Sequence, residues 1–492
     1  MPLPFLFSVI RDGPPPWLTK HALPLIYGGG SIAALSAVKW YSSGAVNKAE
    51  CKLHGKVVLL TGGTSGVGQR VAHELAARGA QLVLLTQTPV SDPFLAEYIQ
   101  ELRDTYDNHL IYAEQVDLTS LHSVRKFATK WVDNAPPRRI DMIILCAATL
   151  TPPGHDKKET PEGVEETYMV NYLANVHLLS ILSPAIRAQP FDRNVRIIIA
   201  SCSSYIGAPS LKEAIDDESW TPSIAYKQSK LALNVFAQSY QKHLDAYKRP
   251  DHFPNNARVI MVDPGYCRTP GMWRWLTRGS LIGLGIYVAT YIVPWVLLKS
   301  PHRGAQSFLH AAMDPMLGRG EGGRLVKECR EVDWAREEIR DEEVGRQLWE
   351  ETDGLIERVE KAQAKRRAVE KRQRAEEKAT KAKEDKEAAR AAATATPEKT
   401  EEEEASQVTE EEEKEPSSDY ENMLKSAKRK SKTRAKEKER EAKPAEDDVS
   451  VLSAESKNSK EKKEKKERKD KDKEKKDRRK DKEREKRRSK KE

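Results

Sequence analysis

Cysteine is scarce in this chain of 492 residues. There are five thiols, Cys51, Cys146, Cys202, Cys267 and Cys329, an odd number with no CxxC pair. That pattern excludes a disulfide scaffold and a cysteine zinc site, and it fits a reducing compartment. No secretory leader with a cleavage site and no C-terminal prenylation motif can be read. Charge is absent from two stretches, HALPLIYGGGSIAALSAV at 21–38 and SLIGLGIYVATYIVPWVLL at 280–298. Aromatic residues are absent from 461–492, which holds 20 Lys/Arg and 11 Asp/Glu. Lacking stacking side chains, that basic run does not suit single-stranded nucleic acid, and no specific nucleic-acid partner is expected. Its excess of nine positive charges equals the net charge of the whole chain, so the other residues carry 65 of each sign (85 less 20, 76 less 11). The basic balance therefore describes the tail and not the folded part.

What is present is organised in three parts. Residues 1–50 form an N-terminal segment with a membrane-anchor candidate at 21–38, bracketed by Lys20 and Lys39. Eighteen helical residues would reach about 27 Å, just short of a hydrocarbon core of about 30 Å, and Pro24 with three glycines weakens the helix. Residues 51–345 have ordinary globular composition. Residues 346–492 are rich in Lys, Glu, Arg and Ala, and read as a charged tail, helical or disordered, with too little apolar surface to offset ordering. Leu348, Ile356 and Val359 are too sparse for a sustained coiled coil. An acidic block at 401–415 precedes the basic terminus.

Within 51–345 short apolar runs alternate with helical patterns. KVVLLTG (56–62), QLVLLTQ (81–87), DMIILCAA (141–148), VRIIIASC (195–202) and ARVIMVDPG (257–265) read as buried strands. The expected class is α/β, a doubly wound parallel sheet of the Rossmann type.

The first strand runs into TGGTSGVG, residues 61–68, so that Gly62, Gly66 and Gly68 close a strand and open a helix. Glycines there let a pyrophosphate approach backbone N–H groups at a helix N-terminus. Later comes AYKQSKLAL, residues 225–233, which places Tyr226 and Lys230 one turn apart on one helix face.

These two motifs, in this order, resemble the short-chain dehydrogenase/reductase family, with its T-G-x-x-x-G-x-G turn and Y-x-x-x-K helix. The resemblance covers roughly 55–330. It implies that Thr61, Gly62, Gly66, Val67 and Gly68 bind the cofactor, and that Tyr226 exchanges the proton with the substrate oxygen. Lys230 would hold the cofactor ribose and lower the Tyr226 pKa from about 10 toward working pH. VNYLANVHLL (170–179) resembles the helix carrying an active-site Asn, Asn171, which would support a proton-relay water. VDLTS (116–120) resembles the strand end whose Asp, here Asp117, contacts the adenine, and in DPGYCRT (263–269) Thr269 matches the residue that contacts the nicotinamide amide.

Two departures from the family pattern stand out. Asn-Asn-Ala-Gly after the fourth strand is replaced by Leu145-Cys146-Ala147-Ala148. SCSS at 201–204 leaves the active-site serine open: simple strand alignment gives Cys202, a thiol being a poor hydroxyl substitute. A local shift gives Ser203, the residue taken here, or Ser204.

The second strand ends in LLTQTP with Gln87 and no acid. Nothing there repels a ribose 2′-phosphate, so NADP(H) is expected over NAD(H). The stretch 280–298 has the length of a membrane helix, with Pro294 inside it and MWRWL before it. An apolar segment at this place, followed by something like KSPHRGAQSFLHAAM (299–313), resembles the retinol-dehydrogenase-like branch, as does the insertion LKEAIDDESW (211–220). The overall impression is of a fungal oxidoreductase of that branch at a lipid droplet or the endoplasmic reticulum, its catalytic domain facing the cytosol. The substrate would be a lipophilic carbonyl or alcohol of retinoid, steroid or long-chain type; homodimerisation is compatible with the resemblance, and the tail's partner is not readable. The rival reading is a catalytically weak adaptor that keeps the fold and uses its tail at a membrane surface.

Overall fold

Every residue of β1 (Val57–Thr61) is buried, and alternate side chains serve opposite faces of the sheet. Val57 and Leu59 enter one apolar core, Val58 and Leu60 the other. This is how a strand with helices on both faces reads as a continuous apolar run. The computed structural model describes residues 20–394, apart from 137, 191 and 213–218. Most of the 211–220 insertion and the acidic and basic tail blocks therefore lie outside the described residues.

The remaining strands are β2 (Gln81–Thr86), β3 (Ile111–Gln115), β4 (Met142–Leu145), β5 (Val195–Ala200), β6 (Ala257–Asp263), β7 (Arg324–Lys327) and β8 (Arg330–Val332). They form an eight-stranded sheet of order 3-2-1-4-5-6-7-8, parallel throughout except for the β7–β8 hairpin. This is the doubly wound arrangement that the alternating pattern predicts, with the order reversing between β1 and β4.

Helix α1 is Ala22–Ser42, ahead of the sheet. On one sheet face lie α2 (Gly66–Ala77) and α3 (Pro93–Tyr106), joined later by α10 (Pro301–Met313). On the other lie α4 (Leu121–Val132), α5 (Glu166–Arg187) and α6 (Pro222–Ala246). The segment 270–298 forms three short helices, α7 (Pro270–Leu276), α8 (Leu281–Ala289) and α9 (Ile292–Leu297). After α10 come α11 (Pro315–Arg319) and the long α12 (Glu342–Thr394).

The boundary expected at 345 is displaced by α12. Val344, Leu348, Ile356 and Val359 are buried and belong to the core on the α5/α6 face. Trp349 packs on Phe236, with ring centroids 5.3 Å apart, and Thr352 Oγ1 hydrogen-bonds the buried Tyr172 hydroxyl at 2.7 Å. Spacings of three and four residues make a single stripe down one helix, too narrow for a coiled coil and wide enough to close a core. The catalytic fold thus extends through the first turns of the tail.

Among the described residues, the helix long and apolar enough to cross a membrane is α5, and it is mostly buried inside the domain. The 280–298 stretch is divided into helices of nine and six residues, at most about 14 Å long, and so does not span. Helix α1 continues through its three glycines for 21 residues, about 32 Å.

Candidate active site

The turn between β1 and α2 requires its glycines. Gly62 and Gly66 have φ of +69° and +60°, the left-handed region. A Cβ on Gly68 would lie 2.2 Å from the Gly62 carbonyl oxygen, so only glycine closes this turn. Ser65 precedes α2 without capping it through its side chain. The first N–H groups of α2 therefore keep their helix-end donor character. Thr61 is buried, and its Oγ1 accepts hydrogen bonds from the backbone N–H of Cys146 and Ala147 at 3.1 and 3.2 Å. The loop lacking the family's asparagines is thereby braced from β1 by a hydroxyl.

Helix α6 begins at a Thr221 cap and a first-turn Pro222, and projects Tyr226 and Lys230 from one face. Lys230 is buried; its Nζ donates to the Ala200 carbonyl at 2.9 Å and lies 5.8 Å from the Tyr226 ring centre. Burial lowers the Lys230 pKa, while Cys202, Cys146 and Asp263 act to keep it charged. The Tyr226 pKa moves upward, against the expectation: burial dominates, and Cys202 and Asp263 push the same way. In a low-dielectric site the neutral phenol is favoured, and Lys230 does not reverse that direction.

The serine question is answered by contacts. Ser203, at the start of the 3₁₀ turn Ser203–Gly207, donates to Asp263 Oδ2 and accepts from Lys327 Nζ at 2.7 Å. Asp263 and Lys327 lie 3.5 Å apart, and Asp263 also accepts from the Gly265 N–H at 2.8 Å. Ser203 is thus engaged in an ionic cluster joining β6 and β7. Cys202, one residue earlier, is the neighbour that after burial acts most on the Tyr226 phenol, and it also acts on Lys230. Extended backbone at Cys202 (φ −160°, ψ 139°) leads on from β5, so simple strand alignment keeps Cys202, whereas Ser203 needs a register shift and is already engaged by Asp263 and Lys327. Ser204 Oγ is buried without a hydrogen-bond partner.

Asn171 is fully buried in a π-helical turn of α5, Met169–Leu173. Its amide accepts from the Thr149 N–H at 2.8 Å and donates to the Thr149 carbonyl and to Ser229 Oγ at 3.0 and 3.2 Å. Ser229 Oγ in turn donates to the Tyr226 carbonyl at 2.8 Å. Ser229, which motif reading missed, links the β4 loop to the Tyr226 helix. Only its helical spacing from Tyr226 could have hinted at it. Asp117 turns inward on its own loop, Oδ1 accepting from the Thr119 N–H and hydroxyl at 2.9 and 2.7 Å. Thr269 caps α7, and its Cγ2 would lie 3.2 Å from a Cβ on Gly66, so it borders the glycine turn. Val67 is buried under that turn. Gln87, at the end of β2, is exposed.

A sequence model of the short chain dehydrogenase family matches residues 56–278. An uncharacterized oxidoreductase of Schizosaccharomyces pombe is 42% identical over 68% of this chain and 91% of its own length. The chain belongs to the short-chain dehydrogenase/reductase family. Mouse polyprenol dehydrogenase is 31% identical over 60% of this chain and 82% of its own. Human retinol dehydrogenase 13 is 28% identical over 69% and 96%.

The family uses nicotinamide dinucleotides, and the glycine turn, with the free N–H groups of the α2 terminus, has the form that admits a pyrophosphate. The segment that follows Thr269 carries exposed apolar side chains. Leu281, Ile282, Ile286 and Val288 of α8 and Ile292 and Val293 of α9 are exposed, as are Leu23, Tyr27 and Ile32 of α1. No Asp or Glu occurs in 13–49 or in 264–313.

Proposed function

We propose that the protein is an NADP(H)-dependent oxidoreductase that interconverts a lipophilic carbonyl and its alcohol at a lipid-droplet or endoplasmic-reticulum surface. The observation that carries this reading is the Tyr226–Lys230 pair. It faces the end of β5, and the same sheet edge carries the Gly62–Gly68 turn. The bound nicotinamide supplies or accepts the hydride. Tyr226 gives its proton to the substrate oxygen, or takes it back in oxidation. Its raised pKa favours the protonated form, the one needed for carbonyl reduction. Cys202 shares the oxygen with Tyr226 in the position of the family's serine, and Lys230, held by the Ala200 carbonyl, contributes positive charge and a ribose contact. Asn171 fixes the geometry between β4 and α6 and supports the proton path.

Absence of an acid at Gln87 supports NADP(H), since an acidic residue there would repel a 2′-phosphate. The exposed apolar side chains of α8 and α9 and the named activities of the polyprenol and retinol dehydrogenase relatives support a lipophilic substrate. The complete Tyr–Lys–Asn constellation favours an enzyme over an adaptor. The test is nucleotide binding and turnover by the full chain in phosphatidylcholine vesicles with long-chain aldehydes, retinal and steroid ketones. NADPH-dependent reduction with at least tenfold weaker use of NADH is expected. Folded protein that binds neither nucleotide would contradict it.

A further inference from the structure

Helix α9 ends with carbonyls that its own length cannot satisfy. In a six-residue helix the last four C=O groups lack intrahelical partners. The Leu298 N–H closes on Pro294 O at 3.0 Å, leaving the carbonyls of Trp295, Val296 and Leu297, with that of Leu298 just beyond. The carbonyls of Trp295, Val296 and Leu298 are satisfied from a segment some 250 residues earlier. Lys39 Nζ donates to Trp295 O at 2.6 Å and to Leu298 O at 3.3 Å, and Ser42 Oγ donates to Val296 O at 2.5 Å. The Lys39 ammonium also sits 5.2 Å from the Trp295 ring centre. A cation at a helix C-terminus is favoured by the helix dipole, and over an indole by the ring quadrupole.

The other end of α9 is tied to the catalytic side. Arg268 Nη1 donates to the Tyr291 hydroxyl at 2.9 Å. Lys299, just after α9, pairs by backbone with residues 266–268: its N–H donates to Tyr266 O, and its carbonyl accepts from Arg268 N, both at 2.9 Å. Thr269, which borders Gly66, follows directly. A continuous path of contacts runs from α1 through α9 to the edge of the glycine turn.

We infer that Lys39, assisted by Ser42, is a positioning residue that fixes the apolar α8–α9 segment as a cover of the site, so that the N-terminal helix is a working part of the substrate lid and not only a tether. No carboxylate in 13–49 or 264–313 competes for Lys39. The exposed apolar faces of α1 and α8–α9 then move as one body at a lipid surface, and lipophilic substrate meets a lid whose place is set by the anchor.

The test compares wild type, Lys39→Met and Lys39→Arg as full chains in phosphatidylcholine vesicles. Methionine keeps an unbranched side chain and removes the donor and the charge over Trp295; arginine restores both. Amide exchange at 292–298 should accelerate at least tenfold in Lys39→Met and return to within twofold of wild type in Lys39→Arg, with 226–240 unchanged. With hexadecanal as probe, KM should rise at least threefold while kcat and the KM for NADPH stay within twofold. Unchanged exchange at 292–298, or acceleration spread equally over 226–240, overturns the inference. The kinetic arm rests on the oxidoreductase reading. If wild type binds no nucleotide, that reading fails, and the exchange arm still decides the role of Lys39.

Discussion

Ser203 Oγ donates to Asp263 and accepts from Lys327 Nζ at 2.7 Å, while the neighbouring Cys202 lies close enough to Tyr226 to help raise its pKa. In the mechanism proposed here, one residue of difference separates the group that meets substrate from one that braces strand ends. Replacing Cys202 by Ala removes one hydrogen bond to the reacting oxygen, a loss of about 0.5–1.5 kcal/mol, or roughly 2- to 10-fold in kcat/KM. Cys202→Ser should be at least as active as wild type, because a hydroxyl is the better donor. Ser203→Ala should lower melting temperature more than it lowers kcat. A full loss of activity in Ser203→Ala at unchanged stability would assign the role to Ser203.

The core contribution of α12 predicts where the chain can be cut. A fragment ending at 345 loses the buried Leu348, Ile356 and Val359. At about 1.5–3 kcal/mol each, these rival the whole stability of a typical domain, about 5–15 kcal/mol. That fragment should be insoluble or unfolded by circular dichroism, whereas one ending at 375 should melt cooperatively and near the full chain. Equal melting of both would show that the helix only decorates the surface.

His177 sets an acid limit. It is 3% exposed, and burial with the Arg125 charge lowers its pKa to about 4. Its Nε2 lies 3.4 Å from Glu360 Oε1, but Arg125 already neutralises that carboxylate through the other oxygen. The folded state therefore binds fewer protons than the unfolded state between about pH 6.5 and about 4. Stability from this group is full above pH 6.5 and is lost as pH falls toward 4, by up to about 3 kcal/mol. Urea denaturation against pH should show that slope in wild type and a shallower one in His177→Gln; equal slopes would remove His177 from the account.

Much of this was legible in the sequence because periodicity and glycine chemistry are local. The runs at 56–62, 81–87, 141–148, 195–202 and 257–265 each contain the corresponding strand, and TGGTSGVG forms the turn its spacing implies. What was not legible depends on partners far along the chain. Leu348 and Val359 look sparse until Phe236, Tyr172 and their neighbours supply the other half of the core. Hydroxyl chemistry favours Ser203, but Asp263 and Lys327, 60 and 124 residues away, engage it. Thr61 bracing Cys146 and Ala147, and Lys39 capping α9, carry no local signal at all. The upward shift of Tyr226 reflects burial, which a motif does not encode.

The most direct measurement is NADPH-dependent reduction of a lipophilic aldehyde by the full chain in vesicles, wild type against Tyr226→Phe, with NADPH binding followed in parallel. Removing the proton donor should cut kcat by about 10²- to 10⁴-fold while the nucleotide dissociation constant changes less than threefold. Equal turnover in the two proteins would contradict the assignment of Tyr226 and with it the mechanism proposed here.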